Sequence, residues 1–196
     1  MIDDFAKDYL HSDPQEIRGV VLQKLDGLSE YDVRRPLTST GTTPLGLIKH
    51  LSTTESRYFG EVFERPSPEP VPRWDDLEQR GTDLWATEHE TREQITSRYR
   101  RTREHSDATI AALSLDPPGH VPWWPRPDVM LFNVLVHVLT ETSRHAGHAD
   151  ILREQLDSDA NRYGEGTARQ GRDATFWENR CAEVERAARA ADPTRT

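Results

Sequence analysis

The sequence predicts an all-α protein, a four-helix bundle with a short additional helix near its C-terminal end. Apolar residues recur at intervals of three and four along several long segments, the spacing that places them on one side of a helix. Proline-rich stretches separate these segments and act as helix breakers. Strand signals are poor, since runs of β-branched residues are few. Long helices joined by loops favour a bundle.

The first helix is predicted to begin at Asp13, whose carboxylate can cap the free backbone N–H groups. Pro14 suits the first helical position, and the charge of Glu16 favours the positive end of the helix dipole. Gly27 ends or bends this helix. Its mainly apolar face consists of Ile17, Val20, Val21, Lys24, Leu25 and Leu28.

The second helix is predicted over residues 44–64, with Thr43 as its cap and Pro44 at its first position. Four prolines between residues 66 and 72 stop it and form a linker loop. The third helix is predicted over residues 75–113, with a break near 81–84. Its basic run RYRRTREHS is typical of a solvated helix face, and an anion site is the alternative.

A fourth helix is predicted over residues 128–156, opened by Asp128 after the proline-rich loop LDPPGHVPWWPRPD. Residues 157–173 are predicted to form a flexible loop, and residues 174–191 a fifth, shorter helix. We therefore expect a bundle domain at 1–157, with residues 158–196 packing on it or extending it. The inward stripe of the fourth helix comprises Leu131, Leu135, Val138, Thr142, His145, Ala149, Leu152 and Leu156.

Length, charge and cysteine content exclude several classes of protein. A chain of 196 residues suits one domain with a real core, and a net charge of −9 argues against a nucleic-acid-binding groove. The first residues lack the features of a secretory signal, and no stretch has the roughly 20 apolar residues of a membrane span. We expect a cytoplasmic protein. Cys181 is the only cysteine, which excludes an internal disulfide and favours a bystander thiol over a nucleophile.

The fourth predicted helix carries a ladder of His137, Glu141 and His145 at intervals of four residues. Each step drifts about 40° around the helix and rises about 6 Å, so neighbouring rungs can share one metal ion. The outer pair, about 12 Å apart, cannot. Two ligands can therefore come from His137 with Glu141 or from Glu141 with His145. His148, three residues after His145, can join or support such a site.

Two ligands hold a metal poorly, so a third must come from another helix. His50 stands out, because it belongs to the side of the second helix that is expected to face the core. A polar helix stripe held by i,i+4 pairing is the alternative interpretation of the ladder. The sequence contains no HExxH motif, so it gives no support to a zinc protease. The remaining histidines are expected to be ordinary surface residues: His11, His89, His105 and His120.

Two stretches, LGLIKHLSTTESRYFGEVF and FNVLVHVLTETSRHAGHADILREQLD, resemble the DinB-like superfamily, and its nearest branch is related to mycothiol-dependent enzymes. The resemblance implies a bundle with up-down-down-up connectivity and a metal site formed by His50, Glu141 and His145. Many members have His where this chain has Glu141, and the Glu variant resembles an isomerase branch that keeps the metal. His148 falls beside the implied site, and His137, one turn too early, packs or forms a hydrogen bond.

Two histidines and a glutamate leave one coordination position for water or substrate, as in catalytic zinc sites. Zn or Ni is the expected metal, and Fe, Mn or Co accept the same nitrogen and oxygen ligands. The resemblance implies a metal-dependent thiol S-transferase or isomerase that uses a low-molecular-weight thiol such as mycothiol. A metal-bound thiol has a lowered pKa and ionises at neutral pH, so no protein cysteine is required.

Five side chains are candidate contacts for these substrates: Arg57, Arg144, Arg153, Trp123 and Trp124. An arginine can bind the carboxylate of a thiol cofactor, or remain solvated on the helix surface. The tryptophans can wall a pocket mouth, or pack their loop onto the bundle.

Two other functions stay open at this point. A metal-binding bundle without turnover can serve in a stress response or as an interaction module, and a structural dimer can carry a vestigial site. Bundles of this kind often pair through a helix face, so we expect a homodimer.

Overall fold

The computed structural model of the chain describes residues 2–69, 71–72, 75–76, 78–160 and 174–191. Its mostly helical content confirms the predicted all-α class. Residues 1–153 and 154–196 form two compact units. None of the described helices is both long enough and apolar enough to cross a lipid bilayer. The α-helices of the described residues are α1 Ile2–Gln23, α2 Pro44–Glu55, α3 Arg92–Ala112, α4 Leu131–Ala160 and α5 Ala174–Ala191.

The first helix begins at Ile2, so the predicted start at Asp13 is wrong and Pro14 lies inside α1. Contacts with the end of α3 account for the extension. The Lys7 ammonium donates hydrogen bonds to the carbonyls of Ala111 and Leu113, at 3.3 and 2.6 Å. These tertiary contacts hold the N-terminal turns of α1 despite a proline that cannot donate a backbone hydrogen bond.

The second helix begins as predicted, with Pro44 in its first turn and the Thr43 hydroxyl accepting the Gly46 N–H at 2.9 Å. After Glu55 the helix widens into a π turn at Ser56–Gly60 and then tightens into a 3₁₀ turn at Glu61–Phe63. The helical run therefore ends one residue before the predicted limit. π turns inside helices occur frequently at functional sites.

The third helix begins at Arg92, so the prediction of a helix from residue 75 is wrong. Gly81, with φ of +80°, stands in the left-handed region that breaks a helix, and Thr82–Leu84 form a 3₁₀ turn. A capping box then fixes the start of α3. The Thr91 hydroxyl accepts the Gln94 N–H at 3.1 Å, and the Gln94 side chain accepts the Thr91 N–H at 2.8 Å.

A short hairpin precedes α4, where the sequence predicted loop and helix. Strand β1, Pro118–His120, pairs antiparallel with β2, Asp128–Met130, so Asp128 does not open the helix. The paired residues are Pro118 with Met130, Gly119 with Val129 and His120 with Asp128. A Cβ on Gly119 would stand 2.7 Å from Val62, so glycine allows this hairpin to approach the end of the α2 run.

The apolar core of residues 1–153 sets the position of the candidate site. One buried cluster lies among α1, α2 and α3, and another joins the π turn, the hairpin and α4. A third cluster joins α2 to α4 through Leu47, Ala149 and Leu152. Leu47 precedes His50 by one helical turn, and Ala149 follows His145 by one turn, so this cluster brings the two histidines close together.

The core also contains a buried ion pair. Arg18 donates two hydrogen bonds to the Glu55 carboxylate, at 2.8 and 2.7 Å, and a third to Asp107 at 2.7 Å. The side chains of Arg18 and Glu55 are fully buried. Burial alone would lower the pKa of Arg18, but the carboxylates of Glu55 and Asp107 raise it above its ordinary value. Arg18 therefore stays charged and ties α1 to both α2 and α3.

The second unit contains the end of α4, which reaches Ala160 instead of residue 156, and α5. Helix α5 matches the predicted fifth helix, and Cys181 on it is exposed. The rest of the loop predicted at 157–173 lies outside the described residues. The packing of residues 158–196 on the bundle stays a prediction.

Candidate functional site

Helices α2 and α4 bring His50 and His145 together. The ring centroids are 4.9 Å apart, with an angle of 74° between the ring planes. Glu141, one turn before His145 on α4, places Oε2 at 3.2 Å from Nε2 of His145. The three side chains are partly buried, with 25%, 14% and 21% of the His50, His145 and Glu141 side chains exposed. The structure thus gathers the three side chains that the sequence nominated as ligands.

A carboxylate that the sequence analysis missed holds His50 in place. Nδ1 of His50 donates a hydrogen bond to Oδ2 of Asp83 at 2.7 Å, and Asp83 is buried. Burial alone would raise the pKa of Asp83, but the hydrogen bond from His50 and the nearby charge of Arg57 lower it below its ordinary value. Asp83 is therefore ionised at neutral pH.

His145 lies in a setting that favours its neutral form. Burial lowers the pKa of His145 to about 4, and the neighbouring His50, His148 and Arg144 act in the same direction against the attraction of Glu141. A neutral imidazole at pH 7 has a nitrogen lone pair that can coordinate a metal ion. The Glu141 carboxylate is also paired, because Arg144 donates a hydrogen bond to its Oε1 at 3.1 Å.

The two remaining histidines of α4 differ in their surroundings. His148 is exposed, and its Nδ1 stands 3.4 Å from Nδ1 of His145. His137 lies instead between aromatic rings, with centroid distances of 4.7 Å to Tyr58 and 4.7 Å to Trp124. Burial lowers the pKa of His137, and Arg144 contributes in the same direction. His137 is therefore neutral at pH 7 and packs beside the group formed by His50, Glu141 and His145.

Tyr58 is a second residue that the sequence analysis did not single out as part of the site. Trp123 and Trp124, in the loop of the hairpin, both donate indole N–H hydrogen bonds to its hydroxyl oxygen, at 3.2 and 3.0 Å. Burial raises the pKa of Tyr58, and the charge of Glu141 adds to that rise. Trp123 and Trp124 were candidate substrate contacts in the sequence analysis. In the structure they pack the hairpin loop against the π turn.

The three candidate arginines have different roles. Arg57 donates to the carbonyl of Pro72 and is half-buried near Asp83. Arg144 pairs with Glu141, as described above. Arg153 donates to the carbonyls of Lys24 and Asp26 at 3.1 and 2.6 Å, which ties α4 to the end of α1.

A comparison with protein families identifies the family to which this chain belongs. The family model described as mycothiol-S-transferase matches residues 10–158. The chain belongs to this family. The family is part of the DinB-like superfamily, so the resemblance drawn from the sequence is confirmed. No curated protein matches the chain. Membership in the mycothiol S-transferase family suggests a mycothiol S-transferase-like function and a thiol substrate.

The other histidines of this mycothiol S-transferase family member contact other partners or are exposed to solvent. His11 contacts Asp107 at 2.9 Å, and Nε2 of His105 donates to the carbonyl of Arg65 at 2.7 Å. Both are half-buried, which differs from the predicted surface location. His120 pairs with Asp128 at 2.9 Å and is exposed, and His89 is 86% exposed.

Among the described residues of this family member, no group of three or more His, Cys, Asp or Glu side chains is positioned to hold a metal ion. Nδ1 of His50 is committed to Asp83, and the Glu141 carboxylate is committed to Arg144 and His145. The chemistry of the donor set nevertheless fits a divalent metal, since two histidines and one glutamate are the protein ligands of some catalytic zinc sites.

Proposed function

We propose that this protein is a metal-dependent S-transferase, or an isomerase, that uses a low-molecular-weight thiol of the mycothiol type. The observation that carries this proposal is the 4.9 Å approach of the His50 and His145 rings beside Glu141, in a chain of the mycothiol S-transferase family. The proposed ligands of the metal are His50, Glu141 and His145. Zn or Ni is the proposed metal, and Fe, Mn or Co suit the same donor set.

The protein side chains prepare this site in specific ways. The bond from Nδ1 of His50 to Asp83 leaves Nε2 of His50 available as the ligand atom. The lowered pKa of His145 keeps its imidazole neutral, as a ligand must be. When bound, a divalent metal would hold the thiol sulfur and lower the thiol pKa. S-transfer at such a site would form a bond between the thiol sulfur and an electrophilic carbon, the leaving group would depart with its bonding electron pair, and the thiol proton would pass to solvent.

The surroundings of the proposed site suit a thiol that carries polar groups and an electrophile with an apolar part. Arg57 lies near Asp83 and donates to the Pro72 carbonyl, and we propose that its remaining N–H groups bind polar groups of the thiol. Tyr58, Trp124 and His137 pack together as an aromatic group near Glu141, and we propose that this group offers apolar surface to the electrophile. The proposed reaction requires no protein thiol, because the low-molecular-weight thiol supplies the sulfur.

The test is saturable turnover. Purified protein loaded with zinc or nickel is mixed with mycothiol or a simpler thiol and with chlorodinitrobenzene, and thioether formation is followed by absorbance. We expect a rate that saturates with thiol in the wild type and falls to the background of the uncatalysed reaction in His50→Ala. The control His89→Ala removes an exposed histidine and should keep the wild-type rate. Equal rates in His50→Ala and the wild type would refute the proposal.

A metal-binding bundle without turnover is the second candidate function. The pairing of two candidate arginines supports it, because Arg144 is bonded to Glu141 and Arg153 to the carbonyls of Lys24 and Asp26, and a thiol must displace those partners to be bound. Metal binding without binding of any thiol, measured by calorimetry, would favour this stress-response or interaction role.

We also propose a cytoplasmic homodimer. Apolar side chains on one side of α4 support the dimer, since Phe132, Val136 and Ile151 are 45%, 40% and 59% exposed. Among the described residues, no atom beyond Gly147, its two chain neighbours and the nearby helix backbone lies within 4 Å of a Cβ built on Gly147. Val136→Glu should convert a dimer into a monomer in sedimentation experiments. An acidic chain with one cysteine suits the reducing cytoplasm, and cell fractionation tests that location.

A further inference from the structure

Helix α2 makes an unusually close contact with the 3₁₀ turn at Thr82–Leu84. A Cβ placed on Gly46 would stand 2.1 Å from the Leu84 carbonyl oxygen, and 2.8 Å from the Thr43 hydroxyl. Real Cβ contacts are not found at such distances. Glycine at position 46 is therefore required for the turn to lie this close to α2.

The same turn is bound to α2 by two consecutive side chains. His50 donates to the Asp83 carboxylate at 2.7 Å. Lys49 donates to the Trp85 carbonyl at 3.1 Å and to the Glu90 carboxylate at 2.8 Å. Gly46, Lys49 and His50 occupy neighbouring positions at helical spacing, so one side of α2 holds the whole segment from Asp83 to Glu90.

We infer that Asp83 is the positioning residue of His50, and that Gly46 allows it to act by letting the Thr82–Leu84 turn reach α2. This inference rests on the proposed function, in which His50 binds a metal. A carboxylate that accepts the Nδ1–H bond at 2.7 Å fixes the tautomer and the orientation of the ring. Nε2 is then left with its lone pair and becomes a stronger donor to a metal ion.

The proposed ligand and its positioning residue lie far apart in the sequence. The ligand His50 and the residue that orients it come from two segments, α2 and a turn of the long connection to α3. The turn depends on Gly81, with φ of +80°, and on Gly46 for its approach. Asp83 thus contributes to metal affinity without contacting the metal.

The first test measures zinc, cobalt or nickel affinity by competition with a chelator. Asp83→Ala should weaken binding about 10–100-fold, the usual effect of removing such a partner. Asp83→Asn should weaken it less, because an amide oxygen still accepts the Nδ1–H bond. The matched control is Glu90→Gln, which disturbs the other anchor of the segment and should change affinity less than about threefold. An unchanged affinity in Asp83→Ala, or an equal loss in Glu90→Gln, would overturn the inference.

The second test needs no metal. In metal-free wild type, the ¹⁵N shifts of the His50 ring should report the tautomer protonated at Nδ1, and Asp83→Ala should shift this population towards the tautomer protonated at Nε2. If the wild type holds no metal while the tautomer responds as expected, the proposed function fails and the positioning contact stands. If His50 has the same tautomer in both proteins, the inference is wrong whatever the metal content.

The third test addresses Gly46. Gly46→Ala should reduce metal affinity, whereas Gly19→Ala, a helical glycine with open space at its Cβ, should leave it unchanged. In the Asp83→Ala background, Gly46→Ala should add little further loss, because both changes break the same contact. Fully additive losses would show that Gly46 acts independently of Asp83. If Gly46→Ala does not fold, the two Asp83 variants decide the matter.

Discussion

The ring of His50 on α2 meets the ring of His145 on α4 almost edge to face, 4.9 Å between centroids. Each ring also contacts a carboxylate, Asp83 for His50 and Glu141 for His145. Two imidazoles and two acidic groups therefore converge from three segments of the chain. The aromatic group of Tyr58, Trp124 and His137 adjoins them on the side of the hairpin.

Replacement of His145 by alanine should remove metal binding with little loss of helix. The side chain is partly exposed, and the helix around it is anchored by buried residues such as Val138 and Leu152. Far-ultraviolet circular dichroism and metal content of the same sample measure the two effects. A variant that loses its helical signal while retaining metal would identify His145 as a packing residue.

Replacement of Tyr58 by phenylalanine should destabilise the protein by about 1–2 kcal/mol, because two indole N–H groups lose their shared acceptor. Urea denaturation followed by tryptophan fluorescence measures the change. Tyr31→Phe is the matched control, since Tyr31 is 73% exposed and its hydroxyl group can reach water. Equal stability of the two variants would mean that the bonds to Tyr58 do not hold the hairpin loop.

Replacement of Arg18 by methionine should cost about 3–5 kcal/mol of unfolding free energy, because it leaves the buried Glu55 carboxylate without its partner. The exposed helical pair of Arg189 with Glu185 provides the comparison, and Arg189→Met should change stability by less than about 0.5 kcal/mol. Chemical denaturation of both variants tests the contrast. A loss below about 1 kcal/mol in Arg18→Met would show that the buried pair is dispensable.

The contact between Glu90 and Lys49 should make stability depend on pH in the acid range. Burial alone would raise the pKa of Glu90, but hydrogen bonds from Lys49 and Thr87 lower it below its ordinary value of 4.5. An acid with a lowered pKa in the folded state stabilises the protein above its unfolded pKa and loses that contribution as the pH falls through the folded pKa.

Unfolding free energies of wild type and Glu90→Gln between pH 7 and pH 3 check this prediction. The advantage of the wild type should be constant down to about pH 4.5 and should shrink at lower pH. An advantage that grows towards acid pH would have the opposite sign and would contradict the assignment.

The helical framework was predictable because periodicity survives in the sequence wherever a helix buries one side. Spacing on the fourth helix left two ligand pairs open, His137 with Glu141 and Glu141 with His145, and the core-facing side of the second helix singled out His50. The resemblance to the DinB-like superfamily implied the set of His50, Glu141 and His145, which the structure brings together. The extended start of α1 was not predictable, because contacts of Lys7 with the end of α3 outweigh the local signals for a helix start at Asp13 and Pro14.

The missed residues share one physical reason. Asp83 reaches His50 only because the turn after Gly81 approaches Gly46, and no local pattern encodes that approach. Tyr58 accepts its two hydrogen bonds from the loop of a hairpin. The prolines of that segment indicated a loop, so its two short strands were not predicted from the sequence. Contacts between segments that are distant in sequence depend on packing, which periodicity alone does not report.

The most direct test of the central claim is the metal content of purified protein, measured by mass spectrometry for wild type beside His50→Ala and the control His89→Ala. The account predicts about one divalent metal per chain in the wild type and in His89→Ala, and a loss of that metal in His50→Ala. No bound metal in the wild type, even after incubation with zinc or nickel, would contradict it and would leave His137, Glu141 and His145 as a polar stripe on α4.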